Sequence, residues 1–475
     1  MVYFFLDVPF LHSIDPDLLS SSARIRFDQL GSVAFTQTNI AMLAIFVSSV
    51  ILWTAESVPN YVTSLMVIAG LVLTGVLSET DAFHQLGHKV MWLNILSFVL
   101  ASMLVKTHAA KRFALLLIVR FGKRAPSVIF SFIVINLTLS AFISATTAKA
   151  AILLPIFMVV AAIYGARPGT GKNNFGRNLV LQNLFQINMG AAAFITGSGA
   201  NLIAGAMGAS HFFYTDWLVA AMPIAVLLIL LGWFVGTKII FPIRGDENEP
   251  QIEGGLEYLR QELSAMGKPT LSEYKATGLF LIVMVLWATD RYHGVSNTMV
   301  ALLAAIVALL PRVGIVKWDD VDIPWHLMLF SAGAYALGAG LAATDLAAIS
   351  LRAFFFSVGV GDHTPFWVFY LVLTGIMAFS SLLSNSKTMR TLVVVPIAIG
   401  VAQQFNYSIM SLAFPVALLI EHVYVMPFNS KPAALLYLTD EYSWTDSLKF
   451  GLTMLTIAWV VIVIAGETWL RFLGH

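Results

Sequence analysis

Cysteine is absent from the 475 residues, which excludes disulfides and thiolate-held metals. Charge is scarce as well: Asp, Glu, Lys and Arg together make up 11%, less than half of the ~25% usual in a soluble domain. The ten histidines show no H-E-x-x-H spacing and the helices carry no paired-Asp motif, so intramembrane metallo- or acid–base enzyme chemistry has no residue set to work with. A formal net charge of +1 supplies no basic field for a nucleic-acid partner. What is present is apolar: hydrophobic residues reach 58% and mean hydropathy is +0.83. Runs of about 17–25 apolar residues recur along the chain, the pattern of an all-α, multi-pass membrane protein rather than a soluble domain on one anchor.

Helix candidates fall at 36–56, 59–78, 90–108, 126–143, 147–165, 179–198, 200–209 and 214–241. After them, at 275–289, 297–311, 327–344, 365–383, 388–404, 408–427, 431–439 and 447–471, the same rhythm repeats. Residues 1–35 hold short apolar patches broken by Asp7, Pro9, Asp15 and Pro16 without a basic flank, and read as a tail, not a signal peptide. Residues 244–274, beginning "RGDENEPQIEGG", form a polar cytoplasmic linker between a first repeat, 36–243, and a second, 275–475.

The repeat is visible residue by residue. "SATTAKAAILLPI" ends at Pro155, with Thr147 eight and Lys149 six positions before it; "SNSKTMRTLVVVPI" ends at Pro396, with Thr388 eight and Arg390 six before it. Further on, "TGSGANL" (196–202) and "FNSKPAAL" (428–435) interrupt apolar segments with small and polar residues. Paired interruptions at corresponding places in two halves point to a transport site built from discontinuous helices. Each repeat then consists of a hairpin, 126–165 or 365–405, followed by a broken helix, 179–209 or 408–439.

Charge flanks orient the pieces. Lys106, Lys111, Arg112, Arg120, Lys123 and Arg124 precede the first hairpin, and Arg167, Lys172 and Arg177 follow it. Both flanks are therefore cytoplasmic, and the segment enters and leaves on one side. The second hairpin has no Lys or Arg on either flank, which suits the outer face. One hairpin from each face is what an inverted repeat demands, and the same reasoning puts the N-terminal tail outside.

A helix that breaks at mid-membrane exposes N–H groups at one end and C=O groups at another. The first suit a carboxylate, the second a cation. Ser144, Thr146, Thr147, Ser386 and Thr388 at the tips add hydroxyls, and Gly199, Asn201, Asn429 and Ser430 add backbone, amide and hydroxyl groups at the breaks. Any one of these taken alone is more often a helix cap or packing residue. The matched set favours a site for a small polar anion. Lys149, Lys387, Arg390 and Lys431 stand at or beside the breaks, against a single embedded acid, Glu421. An ionisable group at the bilayer centre costs about 2.5–3.5 kcal/mol, so three of these cations are expected to be neutralised by an anionic ligand, by solvent or by loss of a proton from lysine, with the transported anion the favoured answer.

Motif order, spacing and hydropathy over residues 36–472 resemble the divalent anion:sodium symporter family, whose members carry two Ser-Asn-Thr tip motifs and two unwound Gly-Thr-Pro-Pro-Asn-type segments. The resemblance implies a homodimer in lipid, with a scaffold domain and a transport domain that moves in elevator fashion. It places the tip motifs on Ala145–Thr146–Thr147 and Ser386–Lys387–Thr388, and the unwound segments on Thr196–Asn201 and Asn429–Ala433. Thr146, Lys387 and Ala433 depart from the family's Asn residues, and Lys149 stands where exchangers of the family often have Arg.

These departures lead to the expectation of a sodium-independent exchanger of di- or tricarboxylates in the cytoplasmic membrane, with lysines replacing the co-transported cation and no resident cofactor. Sodium-coupled dicarboxylate symport is the alternative, with Na⁺ near Ser144, Thr147, Gly199 and Asn201. Proton coupling through Glu421, sulfate transport and a channel also stand open.

Overall fold

The computed structural model describes residues 8–474 apart from 13, 56, 142, 170–172, 208–213, 253–254, 358, 360–363 and 385. Among the described residues every regular element is helical. In chain order the α-helices of seven residues or more are α1 (Ser21–Ala55), α2 (Asn60–Leu73), α3 (Lys89–Lys106), α4 (Ala109–Phe121), α5 (Ala125–Ser140), α6 (Thr146–Ile163), α7 (Asn174–Ala193), α8 (Gly199–Met207) and α9 (Tyr214–Phe234). The second half adds α10 (Gly255–Ala265), α11 (Leu271–Ala288), α12 (Asn297–Leu309), α13 (Trp325–Thr344), α14 (Leu346–Ser357), α15 (Phe366–Phe379), α16 (Lys387–Gln404), α17 (Ile409–Leu418), α18 (Lys431–Tyr437) and α19 (Trp444–Ala465). Among the described residues seven helices are long and apolar enough to cross a membrane, including the segments Ser21–Trp53, Tyr214–Ile240 and Trp444–Leu470.

The first helix begins earlier than the tail reading of residues 1–35 expects. Residues 21–35 are helical and run into the apolar span through Gly31, whose φ of 76° and ψ of 164° break the rod. Glycine has no Cβ to oppose that backbone, so two helical pieces of different polarity join at a bend. Residues 244–274 also differ from a plain linker. Thr270 and Glu273 form a reciprocal capping box that starts α11 inside the expected loop, and Leu259 of α10 is buried.

The hydrophobic core is two clusters. One gathers α1, α2, α13 and part of α14, with Trp53, Leu71, Phe330 and Leu337 in its interior. Ser64 of α2 donates to the Phe330 carbonyl at 3.2 Å, and a methyl on Gly333 would lie 2.3 Å from Ser64 Cβ, so α2 and α13 touch backbone to backbone. The other cluster gathers the α5/α6 and α15/α16 hairpins, the α7–α8 and α17–α18 broken helices, α9 and α19.

Backbone angles display the repeat. Ala145, before α6, has φ −83° and ψ 103°, and Ser386, before α16, has φ −103° and ψ 105°. At the breaks Ser198 has φ −155° and ψ 158°, and Ser430 has φ −159° and ψ 157°. Ser198 Oγ accepts from Asn201 N at 3.2 Å, and Ser430 Oγ from Ala433 N at 3.3 Å. The two halves thus start their short helices with the same serine cap.

Two ion pairs from α4 anchor the connecting segment, Lys111 with Glu262 at 2.7 Å and the more buried Arg112 with Glu273. Arg112 of α4 donates to Glu273 at 2.5 and 3.2 Å and to the Gly267 and Met266 carbonyls at 2.8 and 3.0 Å, while the two side chains keep only 11% and 8% exposure. Removing one partner leaves the other buried and unpaired. Arg112→Ala is expected to destabilise the fold by about 3–5 kcal/mol, read as a lower unfolding temperature of the detergent-purified protein, with Arg112→Lys recovering part of the loss.

Candidate functional site

Both hairpin tips and the first helix break meet at one cavity of about 150 Å³. Ser144, Thr146 and Thr147 line it from the first tip, Lys387 and Thr388 from the second, and Ser198 and Gly199 from the break. The far wall comes from Asn94 and Phe98 of α3 and Leu327, Met328, Phe330 and Ser331 of α13. The cavity therefore sits on the seam between the two apolar clusters. Lys387 Nζ reaches Thr146 Oγ1 at 3.4 Å, a direct contact between the tips of the two repeats. Such a volume is well below the ~300–1,000 Å³ of pockets for drug-sized ligands, so the occupant is small.

The charges are compensated differently from the expectation that an anion neutralises three of them. Lys387 Nζ lies 2.7 Å from Glu421 Oε2, with side-chain exposures of 15% and 0%, and Glu421 Oε1 accepts from Ser198 Oγ at 2.5 Å. The fully buried Lys149 donates to Ser140 Oγ at 2.8 Å and to the Ile187 carbonyl at 3.4 Å. Arg390, also buried, donates to Ser380 Oγ at 3.0 Å, to the Leu419 and Ile420 carbonyls at 3.4 and 3.5 Å, and to the Met377 carbonyl. Helix ends have carbonyls without intrahelical partners and a partial negative charge. Lys149 and Arg390, the fourth residue of α6 and of α16, each reach back to the end of their hairpin's first arm and across to the repeat's broken helix. A hydroxyl and an interior carbonyl of α7 satisfy Lys149, and a hydroxyl and helix-end carbonyls satisfy Arg390. Lys431 is exposed at the start of α18 and contributes nothing to the cavity.

Four other expected residues lie off the cavity surface, each for a structural reason. Asn429 is buried, accepting from Met426 N and donating to the Ser381 carbonyl at 2.6 Å each, so it ties the second break to the second tip. Ser430 caps α18 and donates to the Val423 carbonyl at 3.0 Å. Ser386 caps α16, accepting from Met389 N at 3.2 Å. Asn201 holds the Ala191 and Phe194 carbonyls at 2.9 and 3.1 Å, while its Oδ1 is buried without a protein partner. Residue 385 of the second motif lies outside the described residues.

Three polar residues escaped the sequence reading. Asn94 accepts from Ser144 Oγ at 3.4 Å; it is the one Asn in the apolar run of α3, a signal in itself. Ser198 was legible as the counterpart of Ser430. His422, buried in the second break, has Nδ1 2.8 Å from Tyr424 Oη and no protein partner at Nε2, and nothing in its local pattern distinguishes it from a packed core histidine.

Residues 32–475 match the family described as the sodium:sulfate symporter transmembrane region. The chain belongs to this family, the divalent anion:sodium symporters. It is an integral multi-pass membrane transporter of the dicarboxylate and sulfate class, and not an enzyme. It is 22% identical over 462 residues to the sodium-dependent dicarboxylate transporter SdcS of Staphylococcus saprophyticus, covering 90% of this chain and 87% of that one. It is 27% identical over 286 residues to the putative malate transporter YflS of Bacillus subtilis, covering 59% and 58%. Among solved structures, Neisseria gonorrhoeae MtrF superposes with a TM-score of 0.57 at 13% identity over 93% of this chain and 97% of that one, a likeness of fold.

Within this fold the break residues differ in how much room they have. A Cβ on Gly197 would stand 2.2 Å from the Ala191 carbonyl oxygen, whereas one on Gly199 meets only Asn94 Nδ2 at 3.8 Å. Gly197→Ala is expected to destabilise the protein by about 1–3 kcal/mol or more. Gly199→Ala should leave the unfolding temperature unchanged and alter ligand affinity, a split that thermal unfolding and binding measured on the same two preparations will show.

Proposed function

We propose that this chain carries a small dicarboxylate across the membrane as a sodium-coupled symporter. The observation that carries the reading is the meeting of both tips at one cavity, with Lys387 in its wall and Thr146, Thr147 and Thr388 around it. A ligand with two carboxylates has one end for each tip, where helix starts and hydroxyls offer donors. The names of relatives such as SdcS, sodium-dependent and dicarboxylate, support both halves of the proposal. So does the Lys387–Glu421 pair: it supplies the compensation that the sodium-independent reading assigned to the anion. For Na⁺ as co-substrate, Ser144, Thr147 and Gly199 at the cavity wall are the candidates, together with the unpartnered Asn201 Oδ1 behind it.

Sodium-independent exchange is the second reading. It is favoured by Lys149, a buried ammonium one turn behind the first tip, whose like charge opposes a nearby cation. The position of the cavity between two apolar clusters supports a sliding of the tip-bearing cluster against the α13 wall, the elevator motion, and the homodimer expected with it belongs to the same proposal.

Proteoliposomes loaded with the purified protein separate the readings. Symport is expected to give saturable succinate uptake in Na⁺ that is lost in choline; uptake in choline that depends on succinate inside would establish exchange instead. Lys387→Asn should weaken anion binding by about 2–5 kcal/mol, an affinity loss of about 30-fold or more. The Lys387→Asn/Glu421→Gln double variant should regain stability, by thermal unfolding, without regaining affinity.

A further inference from the structure

Glu421 is fully buried and forms no part of the cavity wall, yet its counterion does. Lys387 thus has a protein carboxylate on one side, at 2.7 Å, and the anion cavity on the other. An ammonium that turns to bind a substrate carboxylate weakens its hold on Glu421, and a buried carboxylate without a counterion favours its neutral form. Resting on the anion-transport reading above, we propose that Lys387 exchanges Glu421 for the substrate carboxylate, and that Glu421 takes up one proton as it does so, making the proton a co-substrate of the anion.

The balance is simple. Lys387 keeps its three ammonium protons throughout. Its ion pair with Glu421 Oε2 breaks, an ion pair with the anion forms, and one proton from water adds to the Glu421 carboxylate. Ser198 Oγ continues to donate to Oε1. The site gains one anion and one proton per loading event.

The charged neighbours do not offer Glu421 a substitute. Lys149 of α6 and Arg390 of α16 both act on Glu421 at longer range, but their donors are engaged with hydroxyls and carbonyls. Among the described residues Lys387 is the cation recorded within ion-pair distance of Glu421. His422, the adjacent titratable group, is turned to Tyr424 Oη. A proton also fits better than a metal cation here, since the recorded hydrogen-bond partners of the carboxylate are one hydroxyl and one ammonium, whereas a hard cation needs a shell of oxygens.

Calorimetry on the detergent-purified full-length protein tests this with fumarate, a dianion from about pH 6 to 8. Titrations in two buffers of different ionisation enthalpy, each with Na⁺ and with choline, read proton uptake directly and need no variant. The expected result is about one proton taken up per fumarate where Glu421 is mostly ionised before binding, in each salt in which fumarate binds. Affinity should then strengthen as pH falls, towards tenfold per unit. Glu421→Gln should bind fumarate with no such slope, and His422→Asn should keep it. Fumarate binding without proton uptake overturns the proposal and leaves the transport reading standing; so does uptake that vanishes in Na⁺, a slope that survives Glu421→Gln, or one that His422→Asn removes. No binding of fumarate, succinate or sulfate at any pH in either salt overturns both.

Discussion

A broken helix inside a membrane leaves backbone carbonyls and N–H groups that lipid cannot satisfy. Much else in this protein answers that constraint. Arg390 brings donors to carbonyls around the ends of α15 and α17, while Lys149, at the equal place in α6, donates to the Ser140 hydroxyl at the end of α5 and to the Ile187 carbonyl within α7. Ser198 and Ser430 answer it at the opposite polarity, accepting from the first free N–H groups of α8 and α18. Asn201 and Asn429 hold the unwound backbone itself.

With those positions committed to the backbone, the cavity is left with few active groups. Among the described residues Lys387 is the one cation in its wall, and the rest are hydroxyls, one amide, a glycine and apolar residues of α3, the first tip, α8 and α13. The pairing of Lys387 with Glu421 joins the second tip to the second break, and the Ser198 hydroxyl extends that link to the first break. A change at any one of the three residues is therefore felt in both repeats.

The sequence was most informative where geometry follows from spacing. Counting back from Pro155 and Pro396 puts Lys149 and Arg390 in register, and the structure shows them doing equivalent work. The tips and breaks were legible from small polar residues interrupting apolar runs. Charge pairing was less so: Glu421 lies 34 residues from Lys387, and no local pattern states that they meet. The α13 wall was hidden for a different reason, since Leu327, Met328 and Phe330 resemble any lipid-facing or core residues until the packing is known. The early start of α1 was missed because residues 21–30 are too polar for a span, and Gly31 reads as a stop where the structure makes it a bend.

The matched serine caps have a consequence for how a ligand is seated. Ser198 and Ser430 share their backbone angles within a few degrees, but the next residue is Gly199 in one half and Lys431 in the other. Gly199 opens the first break onto the cavity, while Lys431 is exposed and takes no part in its wall. A frame that is nearly two-fold thus encloses a chamber that is not. On the proposed reading the two ends of a dianion would meet unlike surroundings there, so a molecule whose halves differ would have a preferred direction of entry, and its mirror seating would be a different complex.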